Sequence, residues 1–210
     1  MRRRDIVAGS LFGFAAAQYL VVEAAVAAAT DGYSYIRDTV SDLGVPGSSD
    51  AYAAMNVAFG VSAVSVLAAG ICSAGALGRR RVPYLAAVAA YSVGTALVAT
   101  VHAGDGSAHV IGAVLAIGAG NVIALVVGTG VPACPQWYRS GSVALGVAGF
   151  AAAACLVAGI GPVGLAERAA IYTFTGWEIL TAFALLRSSE RARTGAAPWR
   201  GMLERLRGRH

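Results

Sequence analysis

Six apolar runs, each long enough to cross a lipid bilayer, occupy most of this 210-residue chain. A transmembrane helix needs roughly 20 mostly apolar residues, and the segments between the runs are too short to form a soluble domain with its own core. The sequence therefore predicts one all-α domain over residues 1–187, an integral membrane bundle of six transmembrane helices. The expected spans are about 6–29, 51–77, 82–101, 109–131, 141–161 and 169–186.

Composition supports a membrane protein and argues against a soluble globular one. Only 13% of the residues are charged and 57% are hydrophobic, whereas soluble domains carry about 25% charged residues. The first run follows three arginines, as the apolar part of a signal peptide would. It is longer than a usual signal sequence and contains Gln18 and Glu23, so we expect it to remain as the first span.

Arginine supplies all 16 basic residues of the chain and marks alternate connecting segments. The positive-inside rule places such segments in the cytoplasm, which predicts that both termini are cytoplasmic and that segments 30–50, 102–108 and 162–168 form an acidic outer face. The residue usage is typical of a high-GC bacterium, so we expect the bacterial inner membrane. The arginines on the inner side are Arg2–Arg4, Arg79–Arg81, Arg139 and the seven that follow residue 186.

The segment 188–210 is basic and polar, with apolar side chains at helical spacing. This pattern predicts a short interfacial helix on anionic lipid of the inner leaflet. Nucleic-acid binding is not expected, because the positive-inside bias already accounts for the charge. The apolar residues of this tail are Trp199, Met202, Leu203 and Leu206.

Three polar side chains lie near the membrane midplane when depth is counted at 1.5 Å per helical residue. They are Gln18, Asn121 and Glu178. A charged carboxylate at this depth costs about 2.5–3.5 kcal/mol on insertion scales. We therefore expect Glu178 to be either protonated or hydrogen-bonded to Gln18, Asn121 or a nearby hydroxyl group. Glu167 precedes Glu178 by about three turns, so both carboxyl groups should project from one helix face.

Further polar residues extend this set towards the outer face. Glu23 and Asn56 form a shallower layer, and His109 and Arg168 stand at the rim. Together they predict a polar, ligand-binding site between spans one, two, four and six, open to the outer face. The alternative is that these side chains only link helices, since interhelical hydrogen bonds average about 0.6 kcal/mol each.

A polar hairpin between spans three and four carries His102, Asp105 and His109. These are candidate catalytic residues, because two histidines and a carboxylate can hold zinc and leave a position open for water. The spacing matches no strong zinc signature, and Asp105-Gly106 also suits a turn, so we expect no metal and no other cofactor. Ser41 beside Asp42, with a histidine, is a possible nucleophile arrangement, although turn serines are far commoner.

Span four contains Gly112, Ala116 and Gly120 at four-residue intervals. Small residues at this spacing form one ridge on which another helix can approach closely. The ridge predicts a tight helix contact.

Three short motifs give the chain a resemblance to a known family. The first is Ser41-Asp42-Leu43-Gly44, which we interpret as a structural loop, and the second is His109 with Ile111-Gly112-Ala113. The third is Gly164-Leu165-Ala166-Glu167-Arg168, with Trp177 further along the same span. In order and placement these motifs resemble a bacterial multi-pass membrane family catalogued as domain of unknown function 998. The resemblance implies a six-helix fold and no mechanism.

Three functions remain open from the sequence. The leading hypothesis is a non-enzymatic protein that binds membrane lipids or another amphiphile. The first alternative is an intramembrane lipid hydrolase that uses His102, Asp105 and His109, with Glu178 or Glu23 as acid or base. The second is a small secondary transporter built from two three-span halves. No phosphate-binding loop, dinucleotide fingerprint or metalloprotease helix is present in the sequence, and protein partners cannot be read from it.

Overall fold

The computed structural model describes residues 3–131 and 134–193, with no side-chain description beyond residue 188. This part of the chain consists of helices and their connections and contains no β-strand. The expected interfacial helix in the basic tail falls on residues outside the described part. The six long helices are α1 (Arg3–Ala29), α2 (Tyr52–Ser73), α3 (Arg81–Thr100), α4 (Ser107–Gly130), α5 (Gln136–Val157) and α6 (Val163–Arg193).

Each of these six helices is long and apolar enough to cross a membrane. The predicted class, an all-α bundle of six transmembrane helices, is confirmed. Three single-turn 3₁₀ helices complete the described secondary structure, at Ser41–Gly44, Ala74–Ala76 and Gly78–Arg80. The end of the bundle at which α1 ends and α2 begins carries the long connection that contains Ser41, and we refer to it as the loop end.

The helices form a ring in chain order. Each helix packs against the next one in sequence, and α6 returns to α1 and closes the ring. Short connections between antiparallel helices favour this arrangement. A further contact between α4 and α6 leaves α5 on the outside, so that five helices surround the centre of the bundle.

Close packing in the ring depends on glycines at the α3–α4 contact. A Cβ atom added at Gly94 would lie 2.6 Å from the backbone nitrogen of Ala116 and from the carbonyl oxygen of Gly112. One added at Gly120 would lie 2.8 Å from the ring of Phe174 on α6. Gly112 and Ala116 of the ridge on span four therefore make a tight contact with α3, while Gly120 packs against α6.

Two helices begin more than a turn earlier than expected, and both begin directly after a proline. α5 begins at Gln136 rather than at 141, and α6 begins at Val163 rather than at 169. The Pro162 carbonyl accepts the first α-helical hydrogen bond of α6, from the Ala166 amide at 3.0 Å. Proline suits this position because its missing N–H would have no partner there. As a consequence, Glu167 and Arg168 are buried in the first turns of α6 and do not belong to an acidic outer loop.

Candidate functional site

The connection at the loop end is held by its own side chains. The Asp42 carboxylate accepts hydrogen bonds from the Thr39 amide at 2.8 Å and the Thr39 hydroxyl at 2.6 Å. The Asn56 side chain donates to the Gly44 carbonyl at 2.9 Å. Asn56 therefore fixes the loop onto α2, whereas we expected it to share a ligand-binding layer with Glu23.

Arg168 is the centre of a buried ion pair at the loop end. Its Nε donates to Glu23 Oε1 at 2.9 Å, and the two residues are 3% and 1% exposed. Its Nη1 donates to the carbonyl oxygens of Tyr35 and Asp38, both at 2.8 Å. Its Nη2 donates to the Tyr33 hydroxyl group. All three nitrogens of the guanidinium group are therefore bonded within the protein.

Aromatic rings surround the same guanidinium group. Its central carbon lies 4.4 Å from the centre of the Tyr35 ring and 5.4 Å from that of Tyr33. Burial raises the pKa of Tyr33 to about 12, against the lowering effect of its hydrogen bond with Arg168. The phenol thus stays neutral at physiological pH. Glu23 is also bonded to the Tyr172 hydroxyl, at 2.9 Å from Oε1. This ion pair joins α1 and α6, and neither of its members lines the central cavity described below.

A second polar group connects the loop to α4 and α6. Both carboxylate oxygens of Glu167 accept hydrogen bonds, one from the Val40 amide and one from the Ser41 hydroxyl, the latter at 2.9 Å. The Ser41 oxygen also lies 3.2 Å from Nε2 of His109. Nδ1 of His109 lies 2.7 Å from the Val101 carbonyl oxygen. Because a carbonyl only accepts, the proton of a neutral His109 resides on Nδ1.

The structure does not bring together His102, Asp105 and His109, the candidate residues of the hydrolase alternative. Nδ1 of His102 lies 3.1 Å from the exposed Asp105 carboxylate, while His109 is directed at Ser41 and Val101. In the described part of the chain, no three His, Cys, Asp or Glu side chains are placed to share a metal ion. The two histidines sit at opposite ends of a short hairpin, and helix α4 turns the second one towards the loop.

A partly enclosed cavity lies between α1, α2, α3, α4 and α6, which we call the five-helix ring. It begins at Val40 and Ser41 at the loop end and extends along α6 from Glu167 to Glu178, a distance of about 16 Å at 1.5 Å per residue. The two glutamates share one helix face, as predicted. The cavity has a volume of about 70 Å³, measured over the positions that the centre of a water molecule can occupy. Its remaining polar lining residues are Tyr19, Ser62, Tyr91, Thr95 and Thr175.

Three buried polar atoms lack a hydrogen-bond partner among the residues that the structure describes. They are the Tyr19 hydroxyl oxygen, Oγ1 of Thr95 and Oε1 of Glu178, and all three residues line the cavity. A buried polar atom without a partner is costly, and within a membrane no surrounding solvent supplies one. The cavity is therefore where these three atoms must find hydrogen-bond partners.

Gln18 and Asn121, the other two midplane residues, do not hydrogen-bond to Glu178. The hydrogen bond expected between Glu178 and one of them is therefore not formed. Nε2 of Gln18 donates to Ser62 at 2.7 Å and to the Ala58 carbonyl at 3.2 Å, which links α1 to α2. Asn121 donates to the Ile117 carbonyl at 2.8 Å and accepts from Thr173 at 3.2 Å. Depth along a helix is readable from sequence, whereas the direction in which a side chain leaves a helix depends on how that helix is rotated in the bundle.

The sequence analysis did not identify Tyr91, Thr95 or Tyr19 as site residues. One signal was available for the first two residues, because side chains four apart lie on the same helix face. Tyr19 is likewise four residues before Glu23, so a polar face of α1 was visible. What the sequence lacked was any sign that these two faces meet across the same cavity.

Comparison with known proteins adds a family and no activity. No curated protein and no solved structure matches the chain. A family model described as "Protein of unknown function (DUF998)" matches residues 14–185, which include all the described cavity residues and the Arg168–Glu23 pair. The chain is thus a member of the DUF998 family.

Proposed function

We propose that this protein binds a membrane amphiphile in the cavity inside the five-helix ring. One observation carries the proposal. The three buried side-chain atoms without partners, on Tyr19, Thr95 and Glu178, all belong to residues that line this one cavity. A ligand with polar groups would supply the partners that these atoms lack, and its binding requires no reaction.

The lining of the cavity suits a molecule with an apolar body. Apart from its few polar groups, the wall is formed by aliphatic and aromatic side chains. Ligand sites in proteins typically combine such a wall with a small number of placed polar groups. A volume of about 70 Å³ would take on the order of five water molecules at 10–15 Å³ each. The apolar lining residues include Phe59, Val98, Ala113, Ile117, Ile171 and Phe174.

Lipid analysis of the purified protein tests this function. The protein is extracted in a neutral detergent beside the variants Glu178→Gln and Asp50→Asn, and retained lipids are identified by mass spectrometry. Asp50 is the matched control, because it is an exposed carboxylate at the start of α2. We expect one lipid species to be retained in stoichiometric amount by the wild type and the control and to be lost from Glu178→Gln. Bulk lipid in equal amounts in all three samples would contradict the proposal.

A second candidate function is ester hydrolysis at the mouth of the cavity. One contact favours it, the 3.2 Å separation between Ser41 Oγ and Nε2 of His109. In this role the Ser41 hydroxyl would turn its proton from Glu167 to Nε2 of His109, which would accept it, while the Val101 carbonyl, 2.7 Å from Nδ1, holds the imidazole in orientation. A fluorophosphonate probe should then label Ser41 in the wild type and fail to label His109→Ala. Absence of labelling in folded wild-type protein would exclude this candidate.

The orientation of the bundle and its lipid partners follow from the charges. We propose that the loop end faces away from the cytoplasm in a bacterial inner membrane, because Arg79–Arg81 and Arg139 lie at the opposite end. Anionic lipid of the cytoplasmic leaflet would then contact the basic tail after residue 187.

A further inference from the structure

We propose that the ligand of the central cavity is an amphiphilic cation, whose positively charged group pairs with Glu178 at the deep end. This inference rests on the proposed binding function and adds the chemical class of the ligand. It is drawn from the charges, the free hydrogen-bonding capacity and the aromatic rings of the described cavity wall.

The cavity wall carries two acidic side chains and no basic one among its described residues. Its two ionisable acidic residues are Glu167 and Glu178, and no arginine or histidine is among the described lining residues. Arg168, which follows Glu167 on α6, is bonded to Glu23 and is not among the lining residues. An anionic ligand would find no basic partner on this wall, whereas a nearby cation would favour the ionised form of Glu178 and pair with it.

Glu178 is the less satisfied of the two acidic side chains. Glu167 accepts from the Val40 amide and from the Ser41 hydroxyl, one bond to each oxygen. Glu178 is 3% exposed, and its Oε1 has no partner among the described residues. A carboxylate inside a membrane normally has a partner in the surrounding structure. Here the surrounding protein supplies none to Oε1, and the cavity is the space next to it.

Aromatic rings along the cavity provide a second attraction for a cation. Tyr19, Phe59 and Tyr91 line the cavity, as does Phe174, one face of which is stacked on Trp177 with ring centres 5.4 Å apart. A desolvated ammonium group is attracted to the faces of such rings, whereas a neutral hydroxyl group gains much less. Carboxylate and rings together therefore favour an ammonium group joined to an apolar body.

Three probes with the same apolar body and different ends test the inference. Hexylamine, hexanol and hexanoate are titrated into the purified full-length protein in neutral detergent at pH 7.5, with calorimetric detection. We expect hexylamine to bind at least tenfold more tightly than hexanol, because a buried charge pair adds to the shared apolar contact. In Glu178→Gln the affinity for hexylamine should fall to that for hexanol, while hexanol binding stays unchanged.

Two further variants keep the result interpretable. Glu178→Asp retains the charge and should retain part of the preference for hexylamine, whereas Asp50→Asn removes an exposed carboxylate and should change nothing. If Glu178→Gln fails to fold, the wild-type order of the three probes decides alone.

The outcomes separate this inference from the function on which it rests. Equal binding of hexanol and hexylamine to the wild type, or tighter binding of hexanoate, would contradict the inference that the ligand is a cation. It would not contradict the proposal that the protein binds an amphiphile. Binding of none of the three probes, with bulk lipid in the lipid analysis, would overturn both.

Discussion

Nε of Arg168 and Oε1 of Glu23 lie 2.9 Å apart across the contact that closes the helix ring, between the sixth helix and the first. Each partner makes further bonds, Arg168 to the backbone of the loop and Glu23 to Tyr172. The pair thus fastens three parts of the molecule, namely α1, α6 and the connection that lies over the cavity.

Loss of one member of this pair should destabilise the bundle. Replacing Arg168 with methionine leaves Glu23 buried without its counter-charge, which typically costs about 3–5 kcal/mol. We expect this loss in denaturant unfolding of the detergent-solubilised protein. Arg37→Met is the control, because Arg37 is exposed on the same loop. The double variant Arg168→Met/Glu23→Gln should lose less unfolding free energy than the sum of the losses in the two single variants. A loss equal to that sum would show that the two residues do not interact.

The contact between α3 and α4 should not tolerate a methyl group. In Gly94→Ala the new Cβ would lie 2.6 Å from backbone atoms of α4, which cannot move aside as a side chain can. Overpacking of this kind costs about 1–3 kcal/mol, and we expect a corresponding loss of unfolding free energy. Gly118→Ala is the matched control, since nothing lies within 4 Å of the added atom there. Equal stability of the two variants would argue against this helix contact.

The hydrogen bonds of Glu167 predict a local effect on the loop. Alanine at this position offers no acceptor to the Val40 amide, whereas the Ser41 hydroxyl can still turn to His109, 3.2 Å away. Glu167→Ala should therefore leave the buried Val40 amide without an acceptor, at a cost of about 1–3 kcal/mol. Hydrogen exchange at the Val40 amide should accelerate in this variant and much less in Ser41→Ala. Unchanged protection of Val40 in Glu167→Ala would count against the bond.

Alkaline pH should weaken the attachment of the loop through Tyr33. The pKa of its phenol rises from the ordinary value of 10.0 to about 12 in the folded protein, so folding favours the protonated phenol. The contribution of the Tyr33 phenol to the free energy of unfolding is fully present below pH 10 and is lost as the pH rises to about 12. Unfolding measured from about pH 9 to 12 should show a steeper loss for the wild type than for Tyr33→Phe. Parallel curves for the two proteins would contradict the shifted pKa.

The orientation of the bundle predicts which loops can be labelled from outside. In a cysteine-free background, Ser48→Cys at the loop end should react with a membrane-impermeant maleimide applied to intact cells. Arg79→Cys should react only after the cells are opened. Both positions are exposed in the structure, so accessibility depends on the side of the membrane alone. The reverse pattern would invert the proposed topology.

The number and approximate position of the helices were predictable, because hydrocarbon thickness dictates the length of each apolar run. The tight contact of Gly112 with α3 was also predictable from small-residue spacing. The first turns of α6 were missed, since Glu167 and Arg168 read as loop residues in a polar segment. Their burial depends on partners as distant in sequence as Glu23 and Ser41, which local patterns do not reveal.

The candidate site illustrates the same division. Glu178 was recognised by its depth, and its shared face with Glu167 followed from helical geometry. Gln18 and Asn121 have similar depth, but α1 and α4 are rotated so that their side chains bond elsewhere. The rotation of each helix results from the packing of all six helices together. The sequence therefore predicted the depth of each polar group in the membrane, but not its hydrogen-bond partners.

Closure of the ring by Arg168 and Glu23 also has a consequence for biogenesis. The two residues are 145 positions apart in the chain, and synthesis proceeds at about 5–20 residues per second. Glu23 is therefore made roughly 7 to 30 seconds before the arginine that neutralises it. During that interval the nascent first helix has its acidic group but not the arginine that pairs with it, so this pair can form only after the sixth helix has been made.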